Sequence, residues 1–287
     1  AYFQVFTEAV LACEPADVSL LHALFYTRSG TNLDTLMAVD RGAQQDRVEG
    51  GSVLVSQRMA EGLDVRPGQP VEAIEQSSSG VSVLTRDGTR FDGARVVVTI
   101  PPTLAGRLRY APVLPARRDQ LTQKLPQGSV IKVHVVYESP FWREEGLNGQ
   151  VGSDRGPVKV VFDSSPPGYD RGILTGFLEG GAARQWSPRS PAERRAAVLD
   201  CLVRYFGPRA ATPVEYVERD WAGEEFTRGC YGAHFAPGVW TGFGPALREP
   251  VGRIHWAGTE CSPVWNGYME GAVLSGEATA REVLGLL

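Results

Sequence analysis

The alternation of helix-like and strand-like segments along the chain is the feature that most constrains its fold. In the helix-like segments apolar residues recur at spacings of three and four, and these segments are 3–28, 53–61, 193–206 and 270–287. The strand-like segments are short apolar runs bounded by turn residues, at 71–74, 81–85, 96–100, 129–137, 158–162, 173–178 and 254–258. This interleaving predicts a mixed α/β fold, of the α/β or α+β class.

Two local patterns predict details of this fold. Asp17 precedes a helical run that begins at Val18, so we expect it to be the N-cap of a helix. The run Val96–Ile100 is apolar throughout, which predicts a strand that is covered on both faces. Pro101 and Pro102 end this strand, because proline cannot donate a ladder hydrogen bond.

The charge balance bears on the class of partner. The 287 residues include 29 basic and 33 acidic side chains, for a net charge of −4, and at ~150 residues per domain they correspond to about two domains. The sequence has no basic run, which argues against nucleic acid and anionic membranes as main partners. It also has no apolar stretch approaching the ~20 residues of a membrane span.

The cysteines and histidines lack the spacing of a metal site. The four cysteines form no C-x-x-C pair, and the four histidines lie on separate segments. We therefore expect no bound metal, no disulfide framework and a reduced, cytoplasmic setting.

Lysine is scarce, and one lysine lies in an unusual place. The chain has three lysines among its 29 basic residues, and Lys132 is in the middle of the apolar run Val130–Val135. Burial of a lysine costs free energy unless it has a partner, so Lys132 is a candidate functional residue. The alternative is a lysine on the solvent face of an edge strand.

Several motifs in a fixed order point to one family. They are Pro101–Leu104, Gly128–Val133, Glu138–Trp142, Asp220-Trp221, Arg228–Tyr231, Trp256–Glu260 and Trp265–Ala272. In this order the chain resembles the flavin-containing amine oxidases, and among them the monoamine oxidases, from about residue 3 to 284. The resemblance implies FAD as cofactor, and oxidation of a primary amine by oxygen to an imine, then an aldehyde, with hydrogen peroxide as product.

The resemblance also implies roles for individual residues. Cys230 matches the cysteine that forms a thioether to the flavin ring. Tyr231 and Tyr268 match two tyrosines that face each other and frame the amine, which offers two π faces to an amine substrate. Lys132 matches a lysine that holds a water against the reactive flavin nitrogen, and Trp221 matches a tryptophan near the flavin edge.

Further positions match contacts to the cofactor. Val71 matches a backbone contact to the adenosine half of FAD. The motif Gly258-Thr259-Glu260 matches a contact to its diphosphate and ribityl region. Gly267 and Met269 belong to the start of the closing helix, where free N–H groups and the positive end of the helix dipole suit a flavin carbonyl. The alternative for this last motif is an ordinary helix start with core side chains.

One motif of the family is absent from the sequence. No strand is followed by G-x-G-x-x-G, the turn that holds a dinucleotide diphosphate, and the nearest pattern, Gly242-Phe243-Gly244, has Leu247 at the third glycine position. We therefore expect an incomplete Rossmann-like FAD domain, at 44–121 and 224–287, interleaved with a substrate domain of mixed sheet and helices at 1–43 and 122–223. The chain is then a C-terminal fragment of a longer oxidase, and we expect it to bind FAD poorly by itself or to aggregate.

Other functions stay open at this point. A diamine or polyamine oxidase needs acidic residues in its cavity, and an amino acid oxidase needs an arginine for the carboxylate. A fragment without its cofactor half could be an inactive or scaffold protein. The expected partners are a small amine and oxygen, and the sequence leaves a homodimer open.

Overall fold

The structure is a computed structural model, and it describes residues 2–287. The helices are α1 (Tyr2–Leu11), α2 (Leu20–Ser29), α3 (Leu33–Met37), α4 (Val53–Met59), α5 (Pro102–Ala105), α6 (Ala116–Gln123), α7 (Gly180–Trp186), α8 (Pro191–Phe206), α9 (Val239–Phe243) and α10 (Met269–Leu284). The strands are β1 (Val71–Gln76), β2 (Val81–Thr85), β3 (Arg90–Gly93), β4 (Val96–Val98), β5 (Arg109–Ala111), β6 (Val130–Tyr137), β7 (Val151–Gly152), β8 (Val160–Asp163), β9 (Gly172–Glu179), β10 (Glu215–Asp220) and β11 (Ile254–Trp256). The fold is therefore mixed α/β, as the alternating pattern predicts.

The backbone divides into two compact units, and the chain passes between them more than once. The first unit comprises the described residues of Ala1–Ser19 together with Pro126–Ala236, and the second comprises Leu20–Leu125 and Pro237–Leu287. The predicted boundaries between substrate and flavin segments follow residues 43, 121 and 223, whereas the observed boundaries between the two units follow residues 19, 125 and 236. Which unit binds substrate and which binds flavin stays a prediction. Residue 1 of the predicted segment 1–43 lies outside the described residues.

The first unit is built on a five-stranded antiparallel sheet with the strand order β10-β6-β9-β8-β7. Alternate residues of the two central strands, such as Ile131, Val133 and Leu174, point to one face and form a buried core with the apolar side of α8. Helix α8 begins with a capping box, in which Ser190 and Glu193 satisfy each other's backbone N–H groups. This core fixes the positions of β6 and β9, and with them the side chains on the opposite face of the sheet.

That opposite face presents a row of polar and aromatic side chains. Lys132 on β6 pairs in register with Phe177 on β9, and His134 pairs with Thr175. The His134 ring nitrogen Nδ1 and the Thr175 hydroxyl are 2.8 Å apart and share a hydrogen bond. Strand β6 lies between β10 and β9, so the alternative that placed Lys132 on an edge strand is wrong.

The second unit contains two sheets. The larger has the order β3-β2-β1-β5, in which the predicted strands at 71–74 and 81–85 pair as an antiparallel hairpin with a bulge after Val71. The smaller is the parallel pair β11 and β4, which joins Ile254 to Val96 and Trp256 to Val98. The Thr279 hydroxyl of α10 donates to the carbonyl oxygen of Trp256 at 3.2 Å, which ties the closing helix to this pair.

The prediction that the run Val96–Ile100 is covered on both faces is wrong. Strand β4 ends at Val98, and the side chains of Val97 and Ile100 are 39% and 41% exposed. Successive side chains of a strand point to opposite faces, and here the face of Val98 is buried whereas that of Val97 is open.

The prediction for Asp17 is also wrong. Helix α2 begins at Leu20, three residues beyond Asp17, and the preceding residue Ser19 donates its backbone N–H to the carbonyl oxygen of Phe235 at 2.8 Å. Asp17 pairs instead with Arg184 at 3.2 Å. A long-range contact, which no local pattern records, sets the path of the chain here.

Candidate active site

Lys132 lies half-buried in the middle of β6, over an aromatic ring. Its Nζ atom is 5.6 Å from the centroid of the Phe177 ring on the neighbouring strand. At this distance the ring face attracts an ammonium group electrostatically. The strand pairing therefore fixes a cation on the polar face of the first unit.

The loop that carries Cys230 crosses the start of β6 at very short range. The Cys230 N–H donates to the carbonyl oxygen of Gly128 at 2.9 Å. A Cβ atom on Gly128 would lie 2.2 Å from the Cys230 carbonyl oxygen, and one on Gly229, whose φ is +140°, would lie 2.3 Å from the Gly128 carbonyl oxygen. Gly128 and Gly229 must therefore be glycines, because a side chain at either position would clash with the other segment. Their close approach sets the position of Cys230.

Cys230 differs in burial from the other cysteines. Among residues 2–287 it is the one cysteine that is not fully buried, and it forms no disulfide. Burial raises the pKa of its thiol to about 11, while the charge of Lys132 lowers this pKa and that of Glu179 raises it. The thiol is therefore protonated at neutral pH, and its reactivity depends on a change in its surroundings.

Tyr231 has an anchored hydroxyl and an open ring. Its side chain is 46% exposed, and its hydroxyl donates to Oε1 of Glu179 at 2.8 Å. The ring centroids of Tyr231 and Phe177 are 6.4 Å apart, with the ring planes at 62°. The ammonium of Lys132, the ring of Phe177 and the ring of Tyr231 thus form a continuous row on one face of the sheet.

Glu179 is a buried acid that the sequence analysis missed. Its side chain is 4% exposed, and burial raises the pKa of its carboxyl to about 8. The hydrogen bond from Tyr231 and the charge of Lys159 lower this pKa, whereas the charge of Glu8 raises it. The predicted strand at 173–178 stops one residue before Glu179, and a strand longer by one residue would have placed it on the face of Phe177.

Trp221 follows β10 and lies against the strand of Lys132. Its N–H donates to the carbonyl oxygen of Val130 at 3.1 Å, and its own carbonyl oxygen accepts a hydrogen bond from the Thr227 hydroxyl at 3.1 Å. The structure therefore brings Lys132, Trp221, Cys230 and Tyr231 together in the first unit.

Tyr268 occupies the N-cap position of α10 in the second unit. Its hydroxyl is hydrogen-bonded to that of Tyr26, and Nε2 of Gln44 lies 3.4 Å from it. The ring centroids of Tyr268 and Tyr26 are 6.3 Å apart. Burial raises the pKa of Tyr268, while its hydrogen bonds to Tyr26 and Gln44 lower it. Neither partner could be predicted from the sequence, because both lie more than 220 residues away along the chain.

The glycines at the start of α10 are explained by contacts within the second unit. Gly267 has a φ of +83°, and a Cβ atom there would lie 2.8 Å from the Tyr26 hydroxyl oxygen. A Cβ atom on Gly271 would lie 2.1 Å from the Trp265 carbonyl oxygen. Met269, the first residue of the helix, is 53% exposed. The turn therefore leaves the helix start open to solvent at Met269.

The motif Gly258-Thr259-Glu260 is tied to the same helix start. The Thr259 hydroxyl donates to the Tyr268 carbonyl oxygen at 2.9 Å, and the Gly258 N–H donates to the Ser275 hydroxyl at 3.2 Å. The side-chain amide of Asn266 donates to the carbonyl oxygens of Thr259 and Glu260, both at 3.1 Å. Asn266 is a structural residue of this loop whose role the sequence did not reveal.

Val71 lies at the start of β1 in the larger sheet of the second unit, where it pairs with Thr85. Tyr231 belongs to the first unit and Tyr268 to the second, so their predicted facing arrangement stays a prediction. Within residues 2–287 no three acidic, histidine or cysteine side chains lie close enough together to hold a metal ion. Over the same range, every helix is too short or too polar to cross a membrane.

Comparison with known proteins gives a consistent result. The family model for flavin containing amine oxidoreductase matches residues 2–284. A probable flavin-containing monoamine oxidase A of Dictyostelium discoideum is 43% identical over 285 residues, which are 97% of this chain and 62% of that protein. A triple-substituted putrescine oxidase matches with a TM-score of 0.95 and 37% identity, over 100% of this chain and 64% of its own.

Cyclohexylamine oxidase from Brevibacterium oxydans IH-35A matches with a TM-score of 0.92 and 35% identity, over 98% of this chain and 63% of its own. The chain therefore spans slightly less than two thirds of the length of these relatives. The resemblance found in the sequence motifs is confirmed over nearly the whole chain. This protein belongs to the family of flavin-containing amine oxidoreductases.

Proposed function

We propose that this chain is the C-terminal part of an FAD-dependent oxidase of primary amines. The proposed overall reaction takes an amine R-CH2-NH2, oxygen and water to the aldehyde R-CHO, ammonia and hydrogen peroxide, by way of an imine. The observation that carries the proposal is the match to the family over residues 2–284, together with the row of Lys132, Phe177 and Tyr231 beside Cys230.

Two features, one in each unit, would each suit the ring end of a flavin. The N-terminus of α10 offers N–H groups without partners within the helix and the positive end of its dipole, and Met269 is exposed there. Cys230 offers the thiol of a half-buried residue. When bound, FAD would supply the redox chemistry, by accepting a hydride equivalent from the carbon next to the amine nitrogen and passing electrons to oxygen.

The chain's own residues would position the reactants. Lys132 would hold a water molecule at the reactive flavin nitrogen, with its ammonium fixed by strand pairing to Phe177. Tyr231 and Tyr268 would frame the amine with their aromatic faces. Trp221 would contact the flavin edge, and Cys230 would carry the flavin as a thioether.

The remaining predicted contacts concern the rest of the cofactor. Val71 would contact the adenosine half through its backbone. Gly258, Thr259 and Glu260 would approach the diphosphate and ribityl region. Gly267 would let the backbone come close to the ring, since its turn has no Cβ atom.

A peroxide-release assay tests the proposed activity. The full-length protein that contains this sequence is supplied with benzylamine, tyramine or putrescine, and peroxide, ammonia and aldehyde are measured together. The expected result is equal amounts of the three products with at least one amine. The proposal would be wrong if the flavin-loaded protein released no peroxide with any of them.

Covalent attachment through Cys230 is tested separately. The full-length protein is denatured in acid, and the flavin absorbance of the precipitate is compared with that of the supernatant. We expect flavin on the precipitated wild-type protein and free flavin with Cys230→Ala. Release of all flavin from the wild type would rule out the thioether.

A diamine oxidase is a second candidate function. Wild-type putrescine oxidase bound to putrescine matches this chain with a TM-score of 0.92 and 38% identity. A catalytic efficiency with putrescine at least ten times that with benzylamine would favour this candidate over the first.

A further inference from the structure

Glu179 occupies a helix N-cap position without capping the helix. It is the residue before α7, where an acidic side chain ordinarily accepts backbone N–H groups of the first turn, and its side chain makes no such bond. The Gly181 N–H donates instead to Oε1 of Glu14 at 2.8 Å. The carboxyl of Glu179 is therefore available for another partner.

That partner is the hydroxyl of Tyr231. The bond from Tyr231 to Oε1 of Glu179 is 2.8 Å long, and the carboxyl is buried. A buried carboxyl needs hydrogen-bond partners to offset its lost hydration, so this contact has a strong reason to persist. Tyr231 is thus held at its hydroxyl end, while the residue as a whole remains 46% exposed.

Burial favours the neutral form of Glu179, while the charges of Glu8 and Lys159 act on its pKa in opposite directions. Glu8 on α1 lies near it and already pairs with Lys159, whose Nζ is 2.8 Å from Oε1 of Glu8. Cys230 also lies within its electrostatic reach, and its thiol is protonated at neutral pH. With Lys159 engaged by Glu8, burial raises the pKa of Glu179 to about 8.

We propose that Glu179 is a positioning residue of the amine site, which accepts the Tyr231 hydroxyl and so fixes the exposed phenol ring beside Phe177. The role in catalysis rests on the proposed function. The hydrogen bond between Glu179 and Tyr231 does not rest on the proposed function, and it can be tested by NMR without any assay of activity. Glu179 acts through Tyr231 and is not itself placed against the substrate.

The contact is tested by carbon-13 NMR of the full-length protein labelled at the tyrosine Cζ atom. The Tyr231 resonance is assigned with Tyr231→Phe. In the wild type we expect it to shift with a midpoint near pH 8, as Glu179 ionises. Glu179→Gln should abolish this titration, and Glu179→Leu should move the resonance towards that of free tyrosine. An identical Tyr231 resonance in wild type and Glu179→Leu would overturn the proposal.

The effect on the reaction is tested by a double-mutant cycle. We expect Glu179→Leu and Tyr231→Phe each to lower kcat/KM for the best amine about fivefold, the worth of one hydrogen bond of about 1 kcal/mol. The double variant should lose no more than the worse single variant, and Glu179→Gln should retain most of the activity. Additive losses would overturn the positioning role.

The chain offers a matched control for simple loss of stability. The Tyr216 hydroxyl donates to Oε2 of Glu218 at 2.9 Å, and Glu218 also pairs with Arg194 on α8. Glu218→Leu breaks a bond of the same kind on the core side of the sheet. It should lower the melting temperature without the loss of kcat/KM or the shift of the Tyr231 resonance. If Glu218→Leu reproduced both effects, Glu179 would have a structural role only.

The outcomes separate the two proposals. Loss of the NMR titration in Glu179→Gln, in a protein that oxidises no amine, would retain the contact and remove the proposed function. Amine oxidation by the wild type, with an unchanged Tyr231 resonance in Glu179→Leu, would support the proposed function and rule out the contact.

Discussion

At the scale of single residues, the structure explains why a lysine lies in the apolar run of β6. Lys132 is on the face of the sheet opposite the apolar core, and its ammonium group lies over the ring of Phe177. The polar alternation of β6 is visible in the sequence, since Lys132 and His134 are two residues apart. The partner strand β9 cannot be read from the sequence, because more than thirty residues, including β7 and β8, separate it from β6 along the chain.

Lys132→Met keeps the length of the side chain and removes its charge. On the proposed function, in which Lys132 lies at the reacting centre, we expect the variant to slow peroxide release by the full-length protein about tenfold or more, because a fixed charge there would contribute strongly to catalysis. Lys124→Met is the matched control, since Lys124 also lies over an aromatic ring, 5.7 Å from the Phe243 centroid, in the second unit. Equal rates for the two variants would contradict the role given to Lys132.

Glu179 makes the stability of the protein depend on pH. The pKa of its carboxyl is about 8 in the folded chain, against 4.5 for an unperturbed glutamate, so the folded state holds a proton that the unfolded state releases. Stability from this group is therefore complete below pH 4.5 and is lost as the pH rises through about 8. A shift of this size corresponds to at most about 5 kcal/mol.

Comparison of Glu179→Gln with the wild type isolates this effect, because other groups titrate alike in both. The free energy of unfolding of the variant, relative to the wild type, should rise between about pH 5 and pH 8.5. Urea unfolding at several pH values measures it. A constant difference over this range would mean that Glu179 is ionised throughout.

At the scale of elements, helix α10 contains one glycine that leaves no room for a side chain and another that does. Gly271 has the Trp265 carbonyl oxygen where a Cβ atom would lie, whereas a Cβ atom on Gly276 would meet open space. We expect Gly271→Ala to lower the free energy of unfolding by more than about 2 kcal/mol and Gly276→Ala to raise it by about 0.5–1 kcal/mol. Thermal melts of the two variants should shift in opposite directions, and a stabilised Gly271→Ala would contradict the packing described.

Elements with a regular spacing of apolar residues were predicted well. Elements whose ends depend on contacts with distant residues were not. Strand β6 and helix α8 agree with their predicted ranges to within two residues, because the spacing of apolar residues is a local signal. The capping box at Ser190 and Glu193 was not used for the prediction, and the predicted start of α8 is two residues late. The start of α2 was missed because the contact between Ser19 and Phe235 decides it. Motifs located Cys230 and Tyr231, whereas the partner Glu179 required the fold.

At the scale of the whole molecule, the exposed edge of the small parallel sheet has a consequence for the isolated chain. Val97 and Ile100 are exposed beside β4, which has one neighbouring strand within the described part of the chain. Unpaired edges and exposed apolar residues favour association. We expect the 287 residues expressed by themselves to elute as aggregates and to be colourless in size-exclusion chromatography. A monomeric yellow peak would refute this.

The contact of Glu14 with the start of α7, where Glu179 leaves the cap unmade, also bears on how the first unit folds. The Glu14 carboxylate and the Gly181 amide are 167 residues apart along the chain, and Lys159 reaches Glu8 across 151 residues. Contacts of such separation form slowly, since a long loop must close before they stabilise anything. During synthesis α1 must therefore wait until β9 and α7 have left the ribosome, and we expect the first unit to complete its folding after the second has begun, with the docking of α1 among the last steps.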